Sequence, residues 1–148
     1  MDCSLRYVVK YTSELDGQEI NDILAVLNSA FPGWGDRSIF DWKYASNTYG
    51  DSAHLLVYEG SIPVGSAGFW RNDLNQAPAY QCVDLAVAPT HQGRGIFRTM
   101  VPDCVERLQG AYLYTFPNVD SRPGFLKQGW LIKRKVPITV HWPSRALR

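Results

Sequence analysis

The sequence predicts one α/β domain: a single mixed, twisted sheet of six to seven strands carrying about four helices. Three observations predict it. Runs with an apolar period of two alternate with runs of period 3.6, in the order strand, two helices, three strands, helix, strand, helix, strand. The 148 residues suit one hydrophobic core, and no linker, repeat or low-complexity stretch divides them, so residues 1–148 read as a single domain. A composition that is 45% hydrophobic and 20% charged supplies that core and excludes wholesale disorder.

The elements follow in chain order. Leu5 to Tyr11 alternates apolar and polar residues as a first strand does. Asp16 and Gly17 then open a segment whose Ile20, Ile23, Leu24, Leu27 and Ala30 share one helical face. Phe31-Pro32-Gly33-Trp34-Gly35 breaks that helix, and Asp36 is placed to cap a second one bearing Ile39, Phe40, Trp42 and Tyr44. Strands from Ala53 to Glu59 and from Ile62 to Arg71 flank Gly60-Ser61, a tight hairpin turn. Asn72 to Pro78 reads as a polar loop, and Tyr80 to Ala88 as a strand stopped by Pro89. Gly93 to Leu108 has helical spacing through Ile96, Phe97, Met100, Val101, Val105 and Leu108, with Pro102 expected to kink it or shift its hydrogen bonds. A short strand from Ala111 to Phe116 and a short helix from about Asp120 to Lys127 follow. Trp130 to Trp142 reads as a last long strand whose Pro137 marks an edge or bulge. That edge could pair across a dimer, so monomer and homodimer are both expected states.

Several function classes are excluded at this level. Fifteen Lys and Arg against 14 Asp and Glu give a formal charge of +1, without the basic excess of a nucleic-acid binder. No apolar run approaches the ~18–20 residues that span a bilayer. Met1 to Arg6 lacks a secretory pattern, and Cys3, Cys82 and Cys104 are odd in number and scattered, so a reducing, cytoplasmic setting is expected. There is no CxxC pair, and His54, His91 and His141 lie far apart, so no metal site is expected.

Chemistry concentrates in Val83-Asp84-Leu85-Ala86-Val87-Ala88-Pro89-Thr90-His91-Gln92-Gly93-Arg94-Gly95-Ile96-Phe97. A strand ends at a proline, and a glycine-containing loop leads into a helix. The first N–H groups of a helix lack intrahelical partners and sit at the positive end of its dipole. Gly93 and Gly95 allow close approach to the backbone, and Arg94 adds a full charge, which together suit a pyrophosphate. The plainer reading is a turn, since Gly-x-Gly before a helix is common. The P-loop and dinucleotide fingerprints are both absent.

This run resembles the acyl-CoA-binding motif of the GNAT superfamily of N-acetyltransferases: Gln or Arg, two residues, Gly, one residue, then Gly or Ala. Gln92 and Gly95 match, and Phe97 stands where a small residue is usual. A second stretch, Phe116-Pro117-Asn118-Val119-Asp120-Ser121-Arg122-Pro123-Gly124-Phe125-Leu126-Lys127-Gln128-Gly129-Trp130, is similar to the family's later segment, where an asparagine follows the fifth strand. The resemblance extends in element order from Tyr7 to Trp142, and favours branches that acetylate small molecules or amino sugars.

The resemblance implies transfer of an acetyl group from acetyl-CoA to an amine, without a metal. It implies a sheet splayed between the fourth and fifth strands, with pantetheine in the gap against the backbone of Leu85, Ala86 and Val87. The Val87 amide would polarise the thioester carbonyl; removing one such donor elsewhere costs ~3–4 kcal/mol. The amides of Gln92, Gly93, Arg94, Gly95, Ile96 and Phe97 would hold the pyrophosphate, with the Arg94 side chain assisting. Asn118 would bond pantetheine or substrate; the plainer reading is a loop cap. The family's tyrosine acid falls at Phe125, which has no proton to give, so Ser121 or a water would serve the thiolate, or it would leave unprotonated, as a thiol pKa near ~8.5 permits. Phe125 is also expected beside the cofactor.

Direct attack needs a neutral amine, and an alkyl ammonium with a pKa near ~10 is mostly charged at pH 7. Asp84 and Glu59 are the candidate bases, with Gln81 and Tyr80 placed to hold a water, and His54 and His91 as further candidates. The plainer role for Asp84 is a solvated carboxylate. Phe31, Trp34, Trp42 and Trp70 are candidate walls of the acceptor pocket, although aromatics are more often core. Three classes result: an N-acetyltransferase of a small molecule such as an amino sugar or sugar nucleotide, a protein or peptide N-acetyltransferase, and a non-catalytic acyl-CoA-binding module.

Overall fold

Strand β1 (Leu5–Tyr11) alternates as expected and pairs antiparallel with β2 (Ala53–Glu59), Leu5 opposite Glu59 and Tyr11 opposite Ala53. The computed structural model describes residues 4–133. Strands β3 (Ile62–Leu74), β4 (Ala77–Val87) and β5 (Tyr112–Thr115) complete a sheet of order β1-β2-β3-β4-β5. The described sheet therefore has five strands where six to seven are expected. The missing one is the strand from Trp130 to Trp142: residues 130–133 are not in a strand, and the remainder lies outside the described residues.

The first four strands are antiparallel neighbours, and β4 runs parallel to β5. A parallel neighbour needs a long crossover. Here it is α3 (Ile96–Arg107), which buries Ile96, Met100, Val101 and Cys104 against one sheet face with Leu55, Val57, Ala67 and Phe69. Pro102 lies within α3 on its exposed side, outside the buried stripe, and, lacking an N–H, it gives no bond to the Arg98 carbonyl one turn earlier. The short helix α4 (Arg122–Lys127) adds Phe125 to the same core.

The opposite face is covered by α1 (Gly17–Ala30) and α2 (Arg37–Phe40). Asp16 caps α1 by accepting from the Glu19 N–H at 2.8 Å, while the Glu19 carboxylate accepts from the Asp16 N–H at 3.0 Å. Ile20, Ile23, Val26 and Leu27 form its buried stripe. Asp36 caps α2, which runs on through a π-type turn over Asp41–Ala45; the wider turn buries Phe40 and Tyr44 and leaves Ile39 and Trp42 exposed.

The polar loop expected from Asn72 to Pro78 is instead a continuation of both strands. Asn75 and Gln76 have φ of 50° and 66°, the two positive values of a type I′ hairpin, whose twist matches that of the flanking strands.

His54 on β2 is buried between the rings of Phe40 and Tyr44. The Thr12 hydroxyl gives its proton to the Ser52 carbonyl, so His54 carries its own on Nε2 and donates to Thr12 Oγ1 at 2.9 Å. Burial lowers its pKa from 6.5 to about 4. The folded state thus resists a proton that the unfolded chain accepts, so stability is full above pH 6.5 and falls as pH drops towards 4. The loss should amount to about 3 kcal/mol across that window. Urea unfolding at graded pH tests this; a His54→Gln variant with the same slope between pH 6.5 and 4.5 would place the titration elsewhere.

Strand β4 carries one irregularity. Ser66 lies opposite Ala86 and Gly68 opposite Val83, so Ala67 alone faces Asp84 and Leu85. Asp84 takes φ 50°, a conformation rare outside glycine. Before the bulge Tyr80 and Cys82 point into the core under α3; after it Leu85 and Val87 do so and Ala86 faces α1. An unbroken alternation would set Asp84 beside Cys82. The extra residue turns it to the α1 and α2 side.

Candidate active site

The loop after β4 is built for close approach. Gly93 and Gly95 have φ of 77° and 79°, and nothing lies within 4 Å of a Cβ added at either. The requirement for glycine is therefore conformational at both positions and leaves the space in front of the backbone open. Gly95 sits immediately before α3, whose first N–H groups face this space. Gln92 Nε2 donates to the Val87 carbonyl at 3.1 Å and ties the loop to the strand end.

Glu59 lies at this end of the sheet. Its carboxylate pairs with Arg94 and accepts from His91 Nε2 at 2.9 Å. Arg94 first, then His91, lower its pKa from 4.5 to about 2. The structure thus gives Glu59, expected as a base or acceptor contact, the place of a counter-ion to Arg94 at the glycine loop, with His91 beside it. A cavity of about 370 Å³ opens between the loop and α4, bounded by Val87, Gln92, Gly95, Phe97, Gly124 and Gln128.

Phe97 fits here because residue 124 is glycine: a Cβ there would fall on the Phe97 ring. The ring also meets Phe125 edge to face at 5.4 Å, and Phe125 meets Trp130 at 5.0 Å. Phe125 is 4% exposed, so it forms part of the core and not the face of the cavity. Exposed Lys127 and half-buried Gln128 also line the cavity; polar residues at the end of a short helix carry no sequence signal that would single them out.

Pairing of β4 with β5 ends at Cys82 opposite Thr115, leaving Val83 to Val87 without a strand neighbour on that side among the described residues. The Ala88 N–H donates to the Val64 carbonyl at 2.8 Å, so by antiparallel alternation the amides of Val87 and Leu85 point away from β3, into the gap. Asn118 and Ser121 lie in the loop before α4. Asn118 Oδ1 accepts from the Asp120 N–H, the Ser121 N–H and the Ser121 hydroxyl, a loop cap that leaves its Nδ2.

On the α2 side of the bulge, Asp84 accepts from Trp34 Nε1 at 3.1 Å, from Lys43 Nζ at 2.7 Å and from the Tyr44 hydroxyl. Burial, followed by the Asp84 charge, raises the Tyr44 pKa well above 10.0, which keeps it a donor. Gly68 makes this possible, since a Cβ there would fall on the Tyr44 oxygen and reach 3.3 Å from the Val83 carbonyl. Gly68→Ala should therefore destabilise the fold by about 1–3 kcal/mol and loosen Tyr44 from Asp84. A thermal-unfolding midpoint equal to that of wild type would show that the site yields without cost.

Beside this cluster is a groove of about 570 Å³ lined by Trp34, Trp42, Lys43, Tyr49 and Trp70. Trp34, Trp42 and Trp70 are brought together there. Phe31 is exposed and does not line it. Lys43 is the residue sequence reasoning missed; only its position beside Tyr44 in the π-type turn brings it to Asp84. His54 is held in the core and Gln81 and Tyr80 lie on the β5-paired half of β4.

The model of the acetyltransferase (GNAT) family matches residues 20–130. No curated protein matches the chain. Among solved structures, an aminoglycoside acetyltransferase from an uncultured soil metagenomic sample, in complex with trehalose, is similar with a TM-score of 0.70 and 12% identity, over 96% of this chain and 97% of that one. Glucosamine-6-phosphate N-acetyltransferase from Arabidopsis thaliana gives 0.66 and 13%, over 93% and 99%. A predicted acetyltransferase with acetyl-CoA from Clostridium acetobutylicum gives 0.65 and 14%, over 92% and 96%. At these identities the likeness is one of fold.

Proposed function

The chain belongs to the acetyltransferase (GNAT) family and is an acyl-CoA-dependent acetyltransferase, and on that premise we propose that it moves an acetyl group from acetyl-CoA to the primary amine of a small molecule by direct attack. One observation carries the reading: the two left-handed glycines before α3 open onto the same end of β4 whose Leu85 and Val87 amides have no strand partner among the described residues.

The amides of Gln92 to Phe97 bind the pyrophosphate, with Arg94 offsetting charge while Glu59 fixes its direction. Leu85, Ala86 and Val87 receive pantetheine in the gap, and the Val87 N–H draws electrons from the thioester carbonyl. Asp84 accepts the proton of the incoming ammonium. Asn118 Nδ2 is available to pantetheine. The Ser121 hydroxyl must leave Asn118 Oδ1 to protonate the thiolate, so Ser121→Ala should cost at most about tenfold.

Amino sugars and sugar nucleotides are one acceptor class within this reading, and similar folds include enzymes named for aminoglycosides and glucosamine 6-phosphate. One observation favours a second reading, a non-catalytic acyl-CoA-binding module: the Asp84 carboxylate already receives three donors. Thiol release from acetyl-CoA, measured with an amine panel and paired with mass spectrometry of the acceptor, separates the two. Tight acetyl-CoA binding with no amine-dependent thiol release would leave the binding module.

A further inference from the structure

One primary amine is already bound where an acceptor's ammonium is to give up its proton. Lys43 projects from the π-type turn after α2 and places Nζ 2.7 Å from Asp84 Oδ2. The faces of Trp34 and Tyr44 flank it, with ring centroids 5.9 Å and 5.5 Å from the ammonium. The pair is not sealed, since the Lys43 side chain keeps 22% of its surface open and lines the groove. Asp84 stands on the half of β4 that has no strand neighbour beyond Cys82 among the described residues. It lies one position before Leu85, whose amide points into that gap.

Any ammonium on this carboxylate meets the conditions set for an acceptor: a base within hydrogen-bond reach, and a thioester in the gap beside it. Lys43 meets them without having to bind, and an amine held beside a reacting carbonyl has the advantage of an intramolecular reaction. We infer that Lys43 is a self-acetylation site: without a free amine, the protein moves the acetyl group from acetyl-CoA to its own Lys43 Nζ. This rests on the acetyl-transfer reading. Asp84 takes one proton from the ammonium and passes it to water. The freed lone pair of Nζ forms the bond to the acetyl carbon, and the carbon–sulfur bond breaks. The second proton, lost from nitrogen as the amide forms, balances the departing thiolate as CoA thiol. Lys10 provides the contrast. Its Nζ lies 2.6 Å from Glu19 and its side chain is more open, at 35%. It stands on β1, with β2 and β3 between it and β4. A carboxylate partner alone would favour both lysines; nearness to the gap favours Lys43.

The experiment incubates the protein with acetyl-CoA and no amine, and follows acetyl incorporation at each lysine by peptide mass spectrometry. Lys43 should be labelled faster than Lys10 by about tenfold or more, with a rate constant independent of protein concentration. Lys43→Arg keeps a cation beside Asp84 but offers no attacking amine, so it should abolish labelling at this position while acetyl-CoA still binds by calorimetry. Asp84→Asn should slow labelling of Lys43 by about tenfold or more and leave Lys10 unchanged. Labelling of Lys43 no faster than of Lys10, or faster at higher protein concentration, overturns the inference. Thiol release with free amines while Lys43 stays unmodified also overturns it and leaves acetyl transfer to small molecules standing. Acetyl-Lys43 without release to any amine of the panel supports it and removes the small-molecule reading. Absence of both overturns the two together.

Discussion

Gly95→Asp should weaken acetyl-CoA binding by about a hundredfold or more while leaving the fold in place. The substitution acts in two ways. At φ 79° a non-glycine residue costs about 1–2 kcal/mol. A carboxylate in front of the pyrophosphate adds repulsion of about 4 kcal/mol for unit charges 4 Å apart at an effective dielectric of 20. A hundredfold needs only about 2.7 kcal/mol, so the repulsion alone exceeds it, while the backbone cost falls on free and bound protein alike. Stability is protected because an acidic residue at the start of α3 interacts favourably with the helix dipole. Gly95→Ala separates the contributions: its Cβ meets nothing within 4 Å, so it carries the conformational cost without the charge. Calorimetric titration of all three proteins with acetyl-CoA is the measurement. Equal affinities for wild type and the aspartate variant would reduce the loop to a turn.

That loop was legible from residues 92 to 97 because glycine spacing and a helix start are local features. So was the parallel β4–β5 pair, since a helix between two strands demands a crossover. The hairpin at Asn75 and Gln76 was not: its positive φ values fall on residues other than the glycine that normally announces them. The bulge was equally silent. Tyr80 to Val87 reads as one regular strand, and only pairing with Ala67 shows the extra residue. The role of Glu59 was hidden for the same reason: the strand end is visible in sequence, but its nearness to Arg94, 35 positions away, is a property of the sheet. Asp84 was identified as a carboxylate near the chemistry, while its three donors come from positions 34, 43 and 44, which only packing of α2 brings near.

Asp84→Asn should lower kcat by about 10²–10⁴ for alkyl amines with a pKa near ~10, the range ascribed to general acid–base catalysis. For amines that are already neutral at the assay pH the loss should shrink, because they arrive without the proton that Asp84 takes. The amide keeps one acceptor oxygen, which can serve Lys43 and Tyr44 in the place of Oδ2 while the bond from Trp34 is lost; the shape of the side chain is kept and the charge is what goes. A rate series with acceptors of graded amine pKa, for both proteins, decides the matter. A loss of one size across the series would make Asp84 a positioning residue that anchors Lys43 and Tyr44. A change in KM for acetyl-CoA would point instead to distortion of β4.

The extra residue in β4 also bears on what the molecule needs to stay folded. Deleting Leu85 would restore a regular ladder with β3 and remove a backbone conformation that costs about 1–3 kcal/mol, but it would turn Asp84 away from Lys43 and into the core beside Cys82, where its charge has no partner. Such a chain should melt at a lower temperature than the natural one and acetylate nothing, which calorimetry and thiol release would record together. Robustness and turnover are then joined at a single position, so a search for sturdier variants would keep the bulge even when it screens on melting alone, and insertions or deletions in β4 should be purged by either selection.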